Sequence, residues 1–347
     1  MFLSLCWLLV AIAYEAEGLV AEDFTKCSEV FYKQKMPVGL EVIAKPHDFK
    51  EIPDGIKKIS DLASPAYICQ THGSKSYYAS LYDRGRRIPL YSAYILDRKE
   101  AKEQAECKRP GSFQLEPQLI YRELTENMQL INPTKQKIKE YNKNNGISEK
   151  YPKNQQNSLI KASQAIDDDY IETRSTTKAP TSTTTTKYKS NYSRGHLNPC
   201  GHHNDPQNYK STFTLTNVVP MKPELNNDVW SEYEIEMIKI SADCGGKMYV
   251  VTGSVPGNNA LKDRVTIPNY VWNAYCCVDN LGKPVKSGGA IAANDKELAP
   301  NKKFKVEKME LGALQLKLKN LLKLSNNFEI FACDCKERKG NKRCNSI

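Results

Sequence analysis

Ser193-Arg194-Gly195-His196-Leu197-Asn198-Pro199, then Phe213-Thr214-Leu215-Thr216-Asn217-Val218-Val219, then Leu225-Asn226-Asn227-Asp228-Val229-Trp230, is the part of the chain that decides how the rest is read. The first block is short, polar and centred on a histidine, whose unperturbed imidazole titrates near neutral pH and suits proton abstraction. The second alternates like a strand, with Asn217 on the face of Phe213, Leu215 and Val219. Pro223 then opens a helix expected to run to about Ile240. Asn226, Trp230 and Glu234 stand on it at i, i+4 and i+8, one face bordered by Tyr233 and Met237. Asn217, Asn226 and Glu234 are therefore polar side chains in otherwise apolar stripes. A buried polar group costs free energy unless it is paired, so each needs a partner or a task. Any one of them alone reads as an ordinary buried hydrogen-bonding residue. All three within eighteen positions, just after a Gly-His pair, mark a site.

Outward from this block the chain reads as strands and short helices. Tyr77–Tyr82 and Pro89–Leu96 are two strands around the basic turn Asp83-Arg84-Gly85-Arg86-Arg87, a hairpin pattern. Lys247–Thr252 and Asn269–Cys276 read as buried strands, and Leu311, Leu314, Leu318 and Leu321 mark an amphipathic helix that packs on the core. Residues 110–173 are polar and read mostly as loop with short helices. Residues 174–190, almost all Thr, Ser, Lys and Pro, cannot repay the entropy of ordering and are expected to be a disordered insert.

Residues 3–13 form an apolar run too short to span a bilayer and followed by small residues, the pattern of an export leader over residues 1–21. No later segment is apolar over a membrane-spanning length. Of eleven cysteines, Cys6 lies in the leader; the other ten, an even number in an exported chain, read as a disulfide set. Zinc clusters are weaker alternatives: for Cys333, Cys335 and Cys344 because Cys-x-Cys is a poor zinc spacing, and for Cys200 with His202 and His203 because a cysteine here is expected in a disulfide. The formal net charge of +10 draws the protein to polyanions such as nucleic acid, glycans or anionic membranes.

Ser193-Arg194-Gly195-His196 resembles the Asp-Arg-Gly-His motif of the DNA/RNA non-specific endonucleases. Phe213 through Pro220 is similar to that family's Leu-Ser-Asn-x-x-Pro-Gln strand, and Asn226, Trp230 and Glu234 to its Asn-x-x-x-Trp-x-x-x-Glu helix. Val251-Thr252-Gly253 and Ile267-Pro268 resemble its later strand-turn elements. Ser163-Gln164-Ala165, Asp169-Tyr170 and the run from Leu81-Tyr82-Asp83-Arg84 to Tyr94 resemble an exported subgroup. The resemblance covers nearly all of the chain after the leader. It implies an α+β fold, a central antiparallel sheet carrying a ββα-metal (His-Me finger) core, in a single domain over residues 22–347.

The same resemblance implies a secreted, metal-dependent endonuclease acting on DNA, RNA or both with little sequence specificity. His196 would take a proton from the water that attacks phosphorus. Asn226 would hold a hydrated divalent ion, Mg²⁺ or another such as Mn²⁺, which keeps most of its waters. Glu234 would order those waters, and Asn217 would position the histidine loop or the phosphate. Arg194 and the Arg84, Arg86 and Arg87 cluster are the candidates for phosphate contact. Affinity would come from phosphates and fall steeply with salt. Two positions depart from the pattern: Ser193 replaces the motif's Asp, and Met221 replaces the Gln after Pro220. Asn191-Tyr192-Ser193 is also an N-glycosylation acceptor, placing Asn191 five residues before His196. These departures support an alternative, a catalytically weak or inactive secreted protein that binds nucleic acid or another polyanion on the same fold.

Overall fold

Strands β3 (Lys75–Asp83) and β4 (Ile88–Leu96) form the expected hairpin, and they lie in the middle of a larger sheet. The structure is a computed structural model, and it describes residues 17–46, 64–97, 107, 110–147, 155–171, 191–324, 327–332 and 335. The strands before β3 are β1 (Glu17–Ala21) and β2 (Ala66–His72); neither stood out in the sequence. A short hairpin, β5 (Ser193–His196) and β6 (Val218–Met221), stands apart from the sheet. The long strands β7 (Met248–Leu261), β8 (Val265–Val278) and β9 (Pro284–Ala293), then β10 (Glu307–Met309), complete the sheet. Among the described residues its order is β1-β2-β3-β4-β7-β8-β9-β10, with every neighbouring pair antiparallel. The helices are α1 (Ile131–Asn144), α2 (Gln155–Ser163), α3 (Pro206–Ser211), α4 (Trp230–Ala242) and α5 (Leu311–Leu322). With helices and an antiparallel sheet mixed along the chain, the class is α+β, as the resemblance implies.

The central strands are buried on both faces, which is why they read as continuous apolar runs rather than as alternation. Successive side chains point to opposite sides. Val250, Val271 and Cys277 join one core with Tyr94, Phe213, Trp230 and the hairpin residues Val218 and Val219. Val251, Trp272 and Cys276 join a second core with Leu311, Leu314 and Leu318 of α5. The leucine stripe of α5 thus packs on the sheet as its spacing predicts, except that Leu321 sits at the rim, 36% exposed.

Among the described residues four disulfides join Cys27 to Cys69, Cys107 to Cys200, Cys244 to Cys277 and Cys276 to Cys335. Cys276 and Cys277, adjacent on β8, point to opposite faces and so staple each face separately: Cys277 to the end of α4, Cys276 to the C-terminal segment. Cys333 and Cys344 lie outside the described residues, as do the insert at 174–190 and residues 1–16 of the expected leader. Residues 17–21 of that leader form the edge strand β1, with Val20 buried. Among the described residues no helix is long and apolar enough to cross a membrane.

Candidate active site

The β5–β6 hairpin docks on the sheet through Asn294, at the end of β9. Its amide nitrogen donates to the carbonyls of Pro220 and Pro268 at 2.9 Å each, and its oxygen accepts from the Lys222 N–H at 2.9 Å. A proline in β6 leaves ladder groups unpaired, and this buried side chain satisfies them. Nothing in the local sequence marks Asn294 for the task, because its partners lie 26 and 74 residues away.

Within the hairpin Ser193 pairs with Met221 and His196 with Val218. Arg194 and His196, two apart on a strand, share a face. Gly195, on the other face, is required by close approach. A Cβ there would lie 2.6 Å from the Met221 methyl and 3.1 Å from Oδ1 of Asn226. The first contact explains the departure at Met221: its side chain packs on Gly195. The second brings the Asn226 carbonyl oxygen to the histidine strand. The Asn226 amide nitrogen donates to Oδ1 of Asn227 at 3.0 Å, which supports aiming the oxygen at the hairpin.

The helix carrying Asn226 differs from the regular one expected. Residues 223–242 are helical, but Leu225–Val229 is a π-helical turn, and the Trp230 N–H reaches back to the Leu225 carbonyl. The wider turn breaks the uniform i, i+4, i+8 stack. Trp230 is buried at 2% exposure, whereas Asn226 stays half-buried at the hairpin. π-Turns inside helices recur at functional sites, where they re-aim a side chain.

His196 is held by two aromatic rings. Its centroid lies 5.4 Å from that of Phe113 and 5.2 Å, edge to face, from that of Phe213. Phe113 reaches this position because residue 114 bonds alongside Phe213 and Leu215. The segment around Asn217 corrects the expected strand: Leu215–Asn217 is a 3-10 turn, and β6 begins only at Val218. That turn puts the fully buried Asn217 side chain under the histidine loop. Its Oδ1 accepts from the Asn198 N–H at 3.0 Å and the Ser92 hydroxyl at 2.9 Å; its Nδ2 donates to the carbonyls of Asn198 and Thr212 at 2.9 and 3.0 Å. With all of these bonds made inside the protein, Asn217 is placed to hold the loop rather than to touch a phosphate.

Arg194 lies over the Phe113 ring, 4.4 Å from its centroid, and forms an ion pair with Asp167. Burial raises the Asp167 carboxyl above its usual range, with the Arg194 charge pulling it back down. Glu234 lines a small cavity behind α4, shared with Leu197, Pro199, Tyr94, His202 and Thr252. It therefore borders the loop that follows His196.

The basic turn is a correction. Arg84 and Arg87 are buried at 2% and 6% exposure. Arg84 donates to the Leu119 carbonyl at 2.9 Å; Arg87 donates to those of Lys161 and Arg264 at 2.7 and 3.2 Å. Arg86 bonds Asp83 at 2.6 Å and the Ile43 carbonyl at 2.7 Å. These guanidinium groups tie loops to the hairpin, and Arg84 and Arg87 are turned inward rather than out to solvent as a basic turn would suggest. Composition cannot distinguish the two cases, because the carbonyl partners are remote in sequence.

The histidines near Cys200 are also structural. His202 Nε2 donates to the Glu234 carbonyl at 3.0 Å, and Nδ1 bonds the Tyr94 hydroxyl at 2.9 Å. His203 bonds Asn198 and Asn208 through its two nitrogens. With Cys200 in a disulfide, no ligand set for zinc remains there. Among the described residues no group of three His, Cys, Asp or Glu is placed to hold a metal. A divalent ion here would rest on an amide oxygen and water, oxygen donors of the kind hard cations take.

A family model for the DNA/RNA non-specific endonucleases matches residues 58–338. The human endonuclease domain-containing 1 protein is 28% identical over 278 residues, 78% of this chain and 43% of that protein. A nuclease of a Nostoc species is 28% identical over 114 residues, 32% of this chain and 40% of that protein. The chain thus spans less than half the length of these curated relatives. A chain of the crystal structure of the EndoG/EndoGI complex aligns with a TM-score of 0.43 at 16% identity, over 73% of this chain and 84% of that one.

Proposed function

Because the chain belongs to the DNA/RNA non-specific endonuclease family, we propose that it is an exported, divalent-metal-dependent endonuclease that hydrolyses phosphodiester bonds of DNA, RNA or both. The observation that carries this reading is the meeting of β5 with the π-turn, where Asn226 Oδ1 comes up against Gly195, next to His196. The candidate general base and the candidate oxygen donor thus belong to one short strand and to the helical turn packed against it. His196 takes the proton of the attacking water, and its two aromatic neighbours limit the directions its ring can face. Arg194 contacts the phosphate. Asn217 fixes the loop that leads away from His196, and Glu234 supplies a carboxylate on the same helix as Asn226. Asn226 would hold Mg²⁺ or Mn²⁺, which when bound supplies charge to the developing transition state and the leaving oxygen. In this reading the part of the chain after the leader is one nuclease domain, and Asn191, exposed beside β5, carries a glycan.

Plasmid and RNA digestion by the exported protein, with Mg²⁺ and with EDTA, tests this. Cleavage is expected to need the metal and to fall on the order of 10²- to 10⁴-fold in His196→Ala, with a comparable loss in Asn226→Ala. Ser193 and Met221 favour a second reading, a weak or inactive polyanion binder. Salt-sensitive binding with no cleavage by the wild type, before or after glycan removal, would select it.

A further inference from the structure

We infer that Asp167 is a positioning residue for the reaction proposed above, on which the inference rests: it sets Arg194 and Phe113 around His196. One carboxyl group makes two contacts with different parts of the site. One oxygen pairs with the Arg194 guanidinium, and the other accepts the Phe113 backbone N–H at 3.0 Å. The Phe113 ring then contacts both groups that share a face of β5. The Arg194 guanidinium sits 4.4 Å from its centroid, and the centroid of the His196 ring lies 5.4 Å from it. Ser193, immediately before Arg194, has no charge to offer, so the carboxylate comes from a chain segment 27 residues upstream.

The support under Asp167 is firm. It opens a 3-10 turn, Asp167–Tyr170, in which Asp169 accepts the Ile166 N–H at 2.8 Å and pairs with Arg264. The preceding residues are tied down as well: the Ala165 N–H bonds the buried Tyr82 hydroxyl at 3.3 Å. An arginine side chain carries much rotamer freedom, and its planar fork binds phosphate best when already oriented. The pair with Asp167 and the stack on Phe113 remove that freedom before substrate arrives. Arg194 stays 29% exposed, so part of its fork still faces outward.

Kinetics on the metal-loaded protein test this with Asp167→Asn, Asp167→Glu, Arg194→Gln and the Asp167→Asn/Arg194→Gln double variant. Asp167→Asn is expected to lower kcat about ten- to hundred-fold, the scale of lost orientation, with KM changed less than about threefold. Asp167→Glu should recover part of that loss. The double variant should be slower than Arg194→Gln by clearly less than the Asp167→Asn factor, because once Arg194 is gone only the Phe113 bond is left for Asp167 to lose. Losses that multiply, or a kcat unchanged in Asp167→Asn, would overturn the inference. The NMR signals of the Arg194 guanidinium protons give a readout free of turnover: slow exchange with solvent in the wild type, fast in Asp167→Asn. Equal exchange in the two proteins also overturns it. A wild type as inert as His196→Ala would instead sink the nuclease reading, and the exchange rates would still decide whether Asp167 holds Arg194.

Discussion

Glu116 has its whole carboxyl group inside the protein, at 0% exposure. Its Oε1 accepts from the Gln70 amide at 2.5 Å and from the hydroxyls of Thr214 and Thr216 at 3.1 Å each. Burial pushes its pKa up to about 7, against the pull of those hydrogen bonds. An unfolded chain titrates the same group near 4.5. Between these values the folded state holds a proton that the unfolded state has lost. The associated stability is complete below about pH 4.5 and is lost as pH rises to about 7. The isosteric change Glu116→Gln removes this dependence. Relative to wild type it is expected to gain on the order of 3 kcal/mol between pH 5 and pH 8, read as a Tm gap that widens in its favour at the higher pH. A gap constant across that range would mean that Glu116 does not titrate there. The same residue shows where sequence reading stops. His196 and Asn226 stand out as candidates because their neighbours in the chain form a motif. Glu116, Asp167 and Phe113 owe their roles to partners tens of residues away, and nothing local announces them. Arg84 and Arg87 misled for the same reason, since an arginine bonded to a distant carbonyl looks in sequence like one facing solvent.

At the scale of elements, the strands of the central sheet were legible from apolar runs, and α5 from its leucine spacing. The π-turn at Asn226 and the 3-10 turn at Asn217 were not. Both occur where a regular pattern of side chains continues while the backbone departs from it, so periodicity extrapolates straight through them. β1 was hidden differently, because it falls inside the expected leader and shares its small and apolar residues. Its place in the sheet has a consequence. The Gly18 Cα lies against the Glu116 carboxyl, so closely that a Cβ at residue 18 would fall 1.8 Å from Oε2. β1 also pairs with β2 over all five of its residues. Removing a leader through Ala21 would strip the sheet edge and open Gln70 and Glu116 to water. Cleavage is therefore expected upstream of Glu17, where Ala11-Ile12-Ala13 offers small residues at the required spacing. N-terminal sequencing of the exported protein checks this. A start at Glu22 would mean that the mature sheet begins with β2.

Over the whole molecule, the formal charge of +10 sets how nucleic acid is attracted but not where it is held. The sequence offers the Arg84, Arg86 and Arg87 turn beside Arg194 as candidates for phosphate contact. The structure turns the Arg84 and Arg87 guanidinium groups inward, whereas Arg194 and Arg86 stay partly exposed. Stability and binding should therefore separate by position. Binding of the His196→Ala protein to a DNA duplex is expected to weaken linearly in log Kd against log salt, as phosphate contacts release counterions. Arg194→Gln in that background should reduce the slope by about one. Arg87→Met should leave the slope of the folded protein unchanged. Instead it should lower Tm, because the carbonyls of Lys161 and Arg264 lose a buried charged donor, a loss of about 1–3 kcal/mol. If Arg87→Met flattens the salt dependence as much as Arg194→Gln does, the turn reaches the polymer after all, and the bound protein must open the loops that Arg87 now closes.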